Sequence, residues 1–428
     1  MENTETIDSE LAVIGAGIAG MAAAMFASNR GIPTVQIGRT GEIALASGLI
    51  DLMGVYPLNK EFILEDPWAS IELLTQQSPE HPYARLGKKK ILNALNEAVE
   101  FLGQFGLLYQ GCGEKNSLVL TPAGTLKPTY FVPSGMWNGV QSLKDGTPCT
   151  IVGFQGLKGF SPRQMTTVQQ HLRPGMHAAK ISFPAAPSNS EIYPEQLARR
   201  FDLPEEIRLL AGLLRPNIAN AGAVGLPAVL GIYRSKQAIV ELEQALGIKV
   251  FEIPTIPPSV PGIRLKETFS TGLRHSGVHL LHQFRVLEAA SAQGDKFHLK
   301  VGRKNPELTI RASGVILASG RFIGGGLHAE RTGIRETIFH LPVHQPSNRE
   351  SWHRMNPMDI RGHPVNRAGL EVDKSFRPLK NGGPAFENLY AAGSILAHQD
   401  WMRMKCGAGL SIATAFGAVE AFSASLRS

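Results

Sequence analysis

Leu11–Gly20 has the sequence LAVIGAGIAG, a short apolar run that passes directly into the glycine pattern GxGxxG. The apolar run Leu11–Ile14 is typical of a buried strand, and the small residues of Met21–Asn29 are typical of a helix. A second strand is predicted at Thr34–Ile37. The pattern therefore predicts a β-α-β unit, the first element of an α/β fold.

Each glycine of this pattern has a physical role at a phosphate site. Gly15 permits a tight turn, Gly17 lets a phosphate approach the backbone, and Gly20 allows the helix to pack closely on the strand. The free N–H groups of the helix and its dipole then face the phosphate. The three glycines are predicted to bind a dinucleotide or a flavin, and the alternative is a glycine turn used only for packing.

The second strand lacks the acidic residue that usually holds an adenosine ribose hydroxyl. Ile37 is followed by Gly38 and Arg39, and Glu42 lies past the next turn. This departure argues against ordinary binding of FAD or NAD. Arg39 is predicted either to contact a phosphate or to cap the strand.

Composition favours a folded enzyme of more than one domain. The chain has 428 residues, of which 43% are hydrophobic and 18% charged, so a full core is available and global disorder is excluded. The net charge of +7 is spread along the chain, and no nucleic-acid partner is predicted. The uncharged stretch Leu11–Ser28 follows an acidic start and Pro216–Tyr233 is interrupted by glycine and proline, so both are interpreted as buried core.

The cysteines indicate neither a metal centre nor a disulfide framework. Cys112, Cys149 and Cys406 are far apart and no CxxC occurs, so zinc and iron–sulfur sites are not predicted. A reducing cytoplasmic setting is the simplest interpretation.

Two further segments end in small residues where a buried strand meets a turn. Val315–Gly320 is the first, and Asn388–Ser394 is the second. Lys405–Leu410 then leads into the last helix, whose N-terminus would stabilise an anionic ligand. The contacts predicted from these segments are Gly320, Gly393, Ser394, Gly407 and Gly409.

The three glycine segments, taken in order, resemble those of two-domain flavoproteins of the fumarate-reductase and glutathione-reductase kind. A closer resemblance, to the B subunit of anaerobic glycerol-3-phosphate dehydrogenase, is carried by Ser47–Leu52, by 319–336 and by 387–394. It covers both ends of the chain, roughly 1–60 and 310–428. It adds Ser47 and Gly48 to the expected cofactor contacts, and members of that family also lack the acidic residue after their second strand.

The resemblance implies a Rossmann-like two-domain flavoprotein fold with an inserted mixed α/β cap or substrate domain. The flavin domain is expected at 1–115 and 280–428, and the inserted domain at 116–279. FMN is the expected cofactor, with FAD as the alternative. The expected partners are a catalytic A subunit that holds FAD and an iron–sulfur, membrane-attached C subunit, which would hold this chain at the cytoplasmic side of the inner membrane.

The implied reaction is oxidation of a small phosphorylated polyol, sn-glycerol 3-phosphate, to dihydroxyacetone phosphate, with electrons passed to quinone. Polyol oxidation needs a base for the hydroxyl proton and cations for the phosphate. The candidates beside the expected flavin are Arg321, His398, Arg403 and Lys405, each of which has a structural role as its alternative. Two other functions stay open: a self-contained FAD-dependent reductase or dehydrogenase of the fumarate-reductase type, and a non-catalytic structural subunit.

Overall fold

The computed structural model describes residues 5–39, 42–58, 65–184, 191–218, 220–291 and 296–427. Its helices are α1 (Ile18–Asn29), α2 (Pro67–Gln77), α3 (Lys88–Gln104), α4 (Ser134–Asp145), α5 (Pro162–Gln169), α6 (Pro194–Arg200), α7 (Pro204–Leu214), α8 (Ser235–Leu246), α9 (Val260–His275), α10 (Trp401–Met404) and α11 (Gly407–Ser425). Its strands up to the middle of the chain are β1 (Glu5–Ile14), β2 (Thr34–Gly38), β3 (Tyr109–Gln110), β4 (Ser117–Leu120), β5 (Leu126–Thr129), β6 (Val132–Pro133), β7 (Cys149–Phe154), β8 (Met176–Ile181), β9 (Ala223–Pro227) and β10 (Lys249–Ile253). The later strands are β11 (His279–His282), β12 (Arg285–Ser291), β13 (Phe297–Gly302), β14 (Leu308–Leu317), β15 (Leu327–Ala329), β16 (Ile334–Glu336), β17 (Leu379–Lys380), β18 (Gly383–Pro384) and β19 (Leu389–Ala391).

The chain divides into two compact units. The first contains Met1–Ile43, Asp51–Phe105 and Phe269–Ser428, and the second contains Ala44–Ile50 and Gly106–Thr268. The expected boundaries at 115/116 and 279/280 therefore lie about ten residues beyond the observed ones, and the second of those observed boundaries falls inside α9. The short excursion of Ala44–Ile50 into the second unit was not predicted.

The first unit is built on a seven-stranded sheet. Its order is β11-β2-β1-β14-β13-β12, and β19 also pairs with β14. The strands β11, β2, β1, β14 and β19 are mutually parallel, whereas β13 and β12 are antiparallel additions. Leu11–Ile14 is buried, as parallel strands covered on both faces require. The predicted β-α-β unit is present as β1, α1 and β2, and the buried strands predicted at Val315–Gly320 and Asn388–Ser394 are present as the end of β14 and as β19.

Two apolar helices form the core against this sheet. α1 packs on α11, with the rings of Phe26 and Phe416 5.2 Å apart and edge to face. α11 has the length and composition of a membrane span, but 67% of its most apolar window is buried inside the protein. Its small residues also allow close packing against Phe376, because a Cβ at Gly417 would lie 2.4 Å from that ring. α11 therefore has the burial of a core helix.

The second unit has its own parallel sheet, in the order β10-β9-β7-β8. Its core includes one buried ion pair, in which Arg264 donates to both carboxylate oxygens of Glu252 at 2.5 and 2.9 Å. Glu252 also accepts the Leu230 N–H at 2.8 Å, so the buried charges are hydrogen-bonded. Its helices include α7 (Pro204–Leu214) and α8 (Ser235–Leu246), and the sequence indicated only a mixed α/β character for this part of the chain.

Candidate functional site

The carboxyl ends of five parallel strands lie in one row at one edge of the large sheet. Ile14 is in register with Ile37 on one side and with Leu317 on the other. Leu281 extends the row beyond Ile37, and Ala391 extends it beyond Leu317. In open α/β sheets, ligands bind outside the carboxyl ends of the strands where the strand order reverses. This edge is therefore the candidate site.

The first glycine turn lies at the centre of the row and leaves no room for side chains. Gly15 has φ +136°, and a Cβ there would lie 2.1 Å from the carbonyl oxygen of Ala318. A Cβ at Gly20 would lie 2.0 Å from the carbonyl oxygen of Gly15. These contacts explain two of the three predicted glycines by close packing of the turn on β14 and on α1.

Gly17 is different, since it precedes the helix instead of packing under it. It is the N-cap of α1 with φ −82° and ψ −174°, and no side-chain cap satisfies the helix start in the described structure. The first N–H groups of an α-helix have no partner within the helix, and the helix dipole makes this end attractive to anions. The start of α1 has the donor set that a phosphate needs.

The end of β2 has no acidic side chain and no space for one. A Cβ at Gly38 would lie 2.8 Å from the backbone nitrogen of Ala16, inside the glycine turn. The neighbouring Gln36 side chain is buried and donates to the Gly15 carbonyl at 3.0 Å. Arg39 is exposed at the strand end. The usual ribose clamp is therefore excluded at this position by the packing of the turn itself.

The ends of β14 and β19 bring two more predicted contacts to the same edge. Gly320 and Gly393 both have positive φ, +70° and +81°. The Gly393 N–H donates to the Thr414 hydroxyl at 2.9 Å, and a Cβ at Gly393 would lie 2.5 Å from Ala19 in α1. Close approach of three elements thus requires glycine at this position.

Ser319, immediately before Gly320, carries a buried hydroxyl that has no hydrogen-bond partner among the described residues. Buried polar atoms in folded proteins are almost always paired. A polar ligand bound beside the phosphate-binding turn would give this hydroxyl a hydrogen-bond partner. The residues present therefore fit a flavin at this edge.

The start of α11 lies against the loop that begins at Asp51. The Gly409 N–H donates to the Asp51 carbonyl at 2.8 Å, and a Cβ at Gly409 would lie 2.5 Å from that oxygen. At Gly407 a Cβ would lie 2.8 Å from the Trp401 indole. Cys406 is buried, and burial raises the pKa of its thiol, so it stays protonated. The predicted glycines here serve close packing of the helix start.

Ser47 and Gly48 lie in the second unit instead of the flavin domain to which the sequence assigned them. Gly48 has φ +78°, and a Cβ there would lie 2.7 Å from Pro261 of the same unit. Its carbonyl accepts the Tyr109 hydroxyl at 2.8 Å. In the second unit these residues hold the loop of 44–50, and cofactor contact from them stays a prediction.

Arg321 follows Gly320 and is turned inward. Its guanidinium donates to the carbonyls of Ser394 at 2.8 Å and Gln399 at 3.0 Å, and also to the carbonyl of Asn366. Burial lowers the pKa of Arg321 to about 10, against the opposing influence of Asp400, so it stays charged at neutral pH. These contacts make Arg321 a clamp on the segment after β19, and its catalytic role stays a prediction.

The other three catalytic candidates lie in the segment between β19 and α11. His398 has φ +62° and shares a 2.8 Å hydrogen bond between its Nε2 and Glu371 Oε1. Arg403 lies in the last turn of the short helix α10, and its backbone N–H donates to the Asp400 carboxylate at 3.3 Å. Lys405 is the left-handed C-cap of α10. The catalytic roles of His398, Arg403 and Lys405 therefore stay predictions.

A side-chain cluster that sequence reasoning missed surrounds His398. The rings of His344 and His398 lie 4.1 Å apart, and His344 Nδ1 is 3.6 Å from Glu371 Oε1. Burial and His398 lower the pKa of His344, and Glu371 acts in the opposite direction. The three residues are 27 positions apart from one to the next, a spacing that belongs to no local motif, so only the fold reveals the cluster.

Comparison with known proteins places the whole chain among flavoproteins. The family model described as an FAD binding domain matches residues 10–410. A protein of Vibrio vulnificus (strain YJ016), named as the B subunit of anaerobic glycerol-3-phosphate dehydrogenase, is 30% identical, over 97% of this chain and 96% of its own. Its namesake from Yersinia enterocolitica is 28% identical, over 96% and 97%. Among solved structures, 3-ketosteroid delta1-dehydrogenase from Sterolibacterium denitrificans is 12% identical, with a TM-score of 0.44 and coverage of 98% of this chain and 100% of that one.

Proposed function

Because the chain belongs to the FAD-binding domain family, with proteins named as the B subunit of anaerobic glycerol-3-phosphate dehydrogenase, we propose that it is the flavin-carrying subunit of an enzyme that oxidises sn-glycerol 3-phosphate to dihydroxyacetone phosphate. The sequence resemblance and the α/β flavoprotein fold class predicted from it are confirmed. The observation that carries the proposal is the glycine turn at the centre of the row of strand ends. It supplies a phosphate site to a chain that matches its relatives over nearly their full length.

A bound flavin supplies the two-electron chemistry of alcohol oxidation. The residues of this chain supply its binding. The N-terminus of α1 after Gly17 would hold the phosphate, and the ends of β14 and β19 would lie along the rest of the group. Two side-chain oxygens at this edge lack a partner among the described residues, the Ser319 hydroxyl and the Oε1 of Gln36, so a polar ligand would find groups to bond here.

We propose FMN as the form bound. FAD needs a partner for its adenosine ribose, and the position that usually provides it is Gly38, where packing against Ala16 excludes a side chain. FMN ends at a single phosphate and needs no such partner. The row of strand ends and the α1 terminus therefore meet the needs of FMN with the residues present.

Partner subunits are implied because the relatives are named as one subunit of an enzyme. We propose that the partners are a catalytic subunit with FAD and an iron–sulfur, membrane-attached subunit that passes electrons to quinone. The chain has three cysteines, too few for a four-cysteine cluster, and all three are free thiols. Electrons would therefore leave this chain through a partner, which would also hold it at the inner membrane on the cytoplasmic side.

An exposed apolar surface of the first unit supports a partner. This methionine-rich surface consists of Ile323, Met355, Met358 and Met402, which are 60–100% exposed. The segments that carry Ile323 and Met402 are linked through Asn366, since Arg321 donates to the Asn366 carbonyl and the Asn366 amide donates to Asp400 at 2.9 Å. Large apolar side chains left this exposed are typical of protein interfaces. We propose that a partner subunit docks here.

The test is to purify the chain alone and with its co-purifying subunits, and to identify the released flavin by chromatography against FMN and FAD standards. The proposal expects FMN, together with turnover of glycerol 3-phosphate that requires the partners. FAD in place of FMN would show that another residue holds the adenosine. Turnover by the isolated chain would favour the self-contained reductase. Absence of flavin from an active complex would overturn the proposal in favour of the structural subunit.

A further inference from the structure

Three side chains of the first unit converge on one point at the surface. The Nδ1 of His344, the Nε2 of His398 and one carboxylate oxygen of Glu371 all lie within 4.8 Å of one another. Glu371 Oε1 is 2.8 Å from the His398 nitrogen and 3.6 Å from the His344 nitrogen. Among the described residues, no other group of three or more histidine, cysteine or acidic side chains has its ligand atoms this close together.

Backbone pairing holds the three residues in place. The N–H of His344 donates to the Gly369 carbonyl at 2.8 Å, and Gly369 returns a bond to the His344 carbonyl at 3.1 Å. Leu370, beside Glu371, forms a parallel bridge with Leu396, two residues before His398. The His398 N–H donates to the Arg367 carbonyl at 2.9 Å. Three chain segments are thus joined by main-chain hydrogen bonds, which arrange the ligand atoms before any ligand arrives.

His398 is held in a backbone conformation that histidine adopts infrequently. Its φ of +62° lies in the left-handed region, where a Cβ is crowded. Such conformations persist where surrounding structure imposes them, and they concentrate at functional sites. The ion pair between Glu371 and His344 stabilises the protein too little to offset the strained backbone of His398, because Glu371 is half exposed. The conformation aims the His398 ring at the other two ligands.

The donor set has the chemistry of a transition-metal site. Zinc binds imidazole nitrogen and carboxylate oxygen at about 2.0–2.2 Å, so neighbouring ligand atoms of a tetrahedral site lie roughly 3.3 Å apart. The two separations measured from Glu371 Oε1 bracket that value. Two histidines with one carboxylate also suit ferrous iron. Three protein ligands leave a coordination position open to water or to an oxygen ligand.

We propose that His344, Glu371 and His398 bind a divalent transition-metal ion, zinc foremost, in an open three-ligand site. The site opens into a cleft that is also lined by Glu80 and Arg85. The Glu80 carboxylate adds negative charge beside the cation, and the cleft gives an exogenous oxygen ligand access to the open position. This proposal does not rest on flavin binding, and it assigns a metal where the sequence predicted none.

The test is binding of Zn²⁺ alone to the full chain after removal of metal and of any affinity tag, followed by calorimetry and by metal analysis after gel filtration. The expected result is one tightly bound equivalent. His344→Gln and Glu371→Gln should each weaken that binding at least about 100-fold, because loss of even an outer-shell partner costs about 10–100-fold. Co²⁺ in place of Zn²⁺ should give the visible absorption bands of a four- or five-coordinate site.

His353→Gln is the matched control. His353 is an exposed histidine of the same unit that also lies against a second histidine, His363, with ring centroids 5.2 Å apart, but it is not part of the three-ligand group. Its replacement should leave zinc affinity unchanged. Circular dichroism verifies folding of all three variants. Equal affinity of the His344 and Glu371 variants and the parent, or equal loss in the His353 control, would overturn the proposal.

Discussion

Gly17 and Gly87 precede helices in nearly the same backbone conformation, yet only Gly17 lies at the row of strand ends. Their φ and ψ angles are −82° and −174°, and −87° and 161°. Both are extended, so a β-branched residue is tolerated by the backbone at either position. Substitutions at Gly17 and Gly87 therefore distinguish an effect on ligand binding from an effect on folding.

Gly17→Val should abolish flavin retention, because its side chain fills the space that the phosphate needs. Gly87→Val is the control, since a Cβ at Gly87 meets no heavy atom within 4 Å among the described residues. Flavin content per chain after gel filtration measures the effect. Full flavin occupancy in a folded Gly17→Val protein would contradict the assignment of the phosphate to this turn.

The protonation of His81 depends on its burial. It is fully buried, its Nδ1 accepts the Tyr83 N–H at 3.2 Å, and its Nε2 has no partner among the residues described. Burial, helped by Arg367 and His398, lowers the pKa of His81 from 6.5 to about 3. Because the folded pKa lies below the unfolded one, the stabilisation is complete above pH 6.5 and is lost as the pH falls toward 3.

His81→Asn should make the free energy of unfolding less dependent on pH below 6.5. Asparagine can still accept the Tyr83 N–H but takes up no proton, so the fall in unfolding free energy between pH 6.5 and pH 5 should shrink by about 1.5–2 kcal/mol. Urea unfolding at the two pH values measures the change. His177→Asn, at an exposed histidine, is the control and should leave the fall unchanged. An unaltered acid response in His81→Asn would show that another group carries it.

At the scale of elements, the segment after β19 is held by Arg321 from the neighbouring strand end. The guanidinium donates to carbonyls at Asn366, Ser394 and Gln399, none of which is satisfied there by a regular helix or sheet. Since the same segment carries Ser394 and His398, the clamp positions both the expected cofactor contact and a proposed metal ligand.

Arg321→Met should destabilise the fold by about 2–4 kcal/mol, because it removes the charged donor shared by those partly buried carbonyls, of which only that of Ser394 keeps another side-chain donor among the described residues, from Gln399. It should also speed hydrogen exchange of the amides of residues 394–399, which a general loss of stability would not confine to that segment. Arg311→Met, within β14 itself, is the control. Arg311 is exposed, and its surface ion pair with the exposed Asp8 contributes little to stability because solvent screens it. Unchanged exchange at 394–399 would remove the clamp role.

At the scale of the whole molecule, the methionine-rich surface is the prediction that concerns assembly. Met355→Asp with Met358→Asp places two charges on a surface that is fully or largely exposed in the isolated chain, so folding should be unaffected. A charge buried without a partner in an interface is costly, so co-purification of the partner subunits should be lost. Leu172→Asp, at a leucine of the second unit that is 70% exposed, is the control. Retained association in the double variant would place the docking surface elsewhere.

The division of the molecule was predicted in outline from the two chain ends. Local patterns marked the parallel strands and the apolar helices, because hydrophobic periodicity and glycine turns are properties of neighbouring residues. The boundaries near 105 and 268 differ from the expected ones, and 44–50 belongs to the other unit, because unit membership depends on contacts between residues distant in the chain.

Sequence alone determined the β-α-β unit, the phosphate-binding glycine turn and the absence of an acidic residue after β2, since each is a property of consecutive residues. It also carried the family resemblance, which the comparisons confirm. Only the tertiary structure decided that Arg321 faces inward as a clamp and that Gly38 has no space for a Cβ. It alone brought His344, Glu371 and His398 together, because these depend on which distant segments pack side by side.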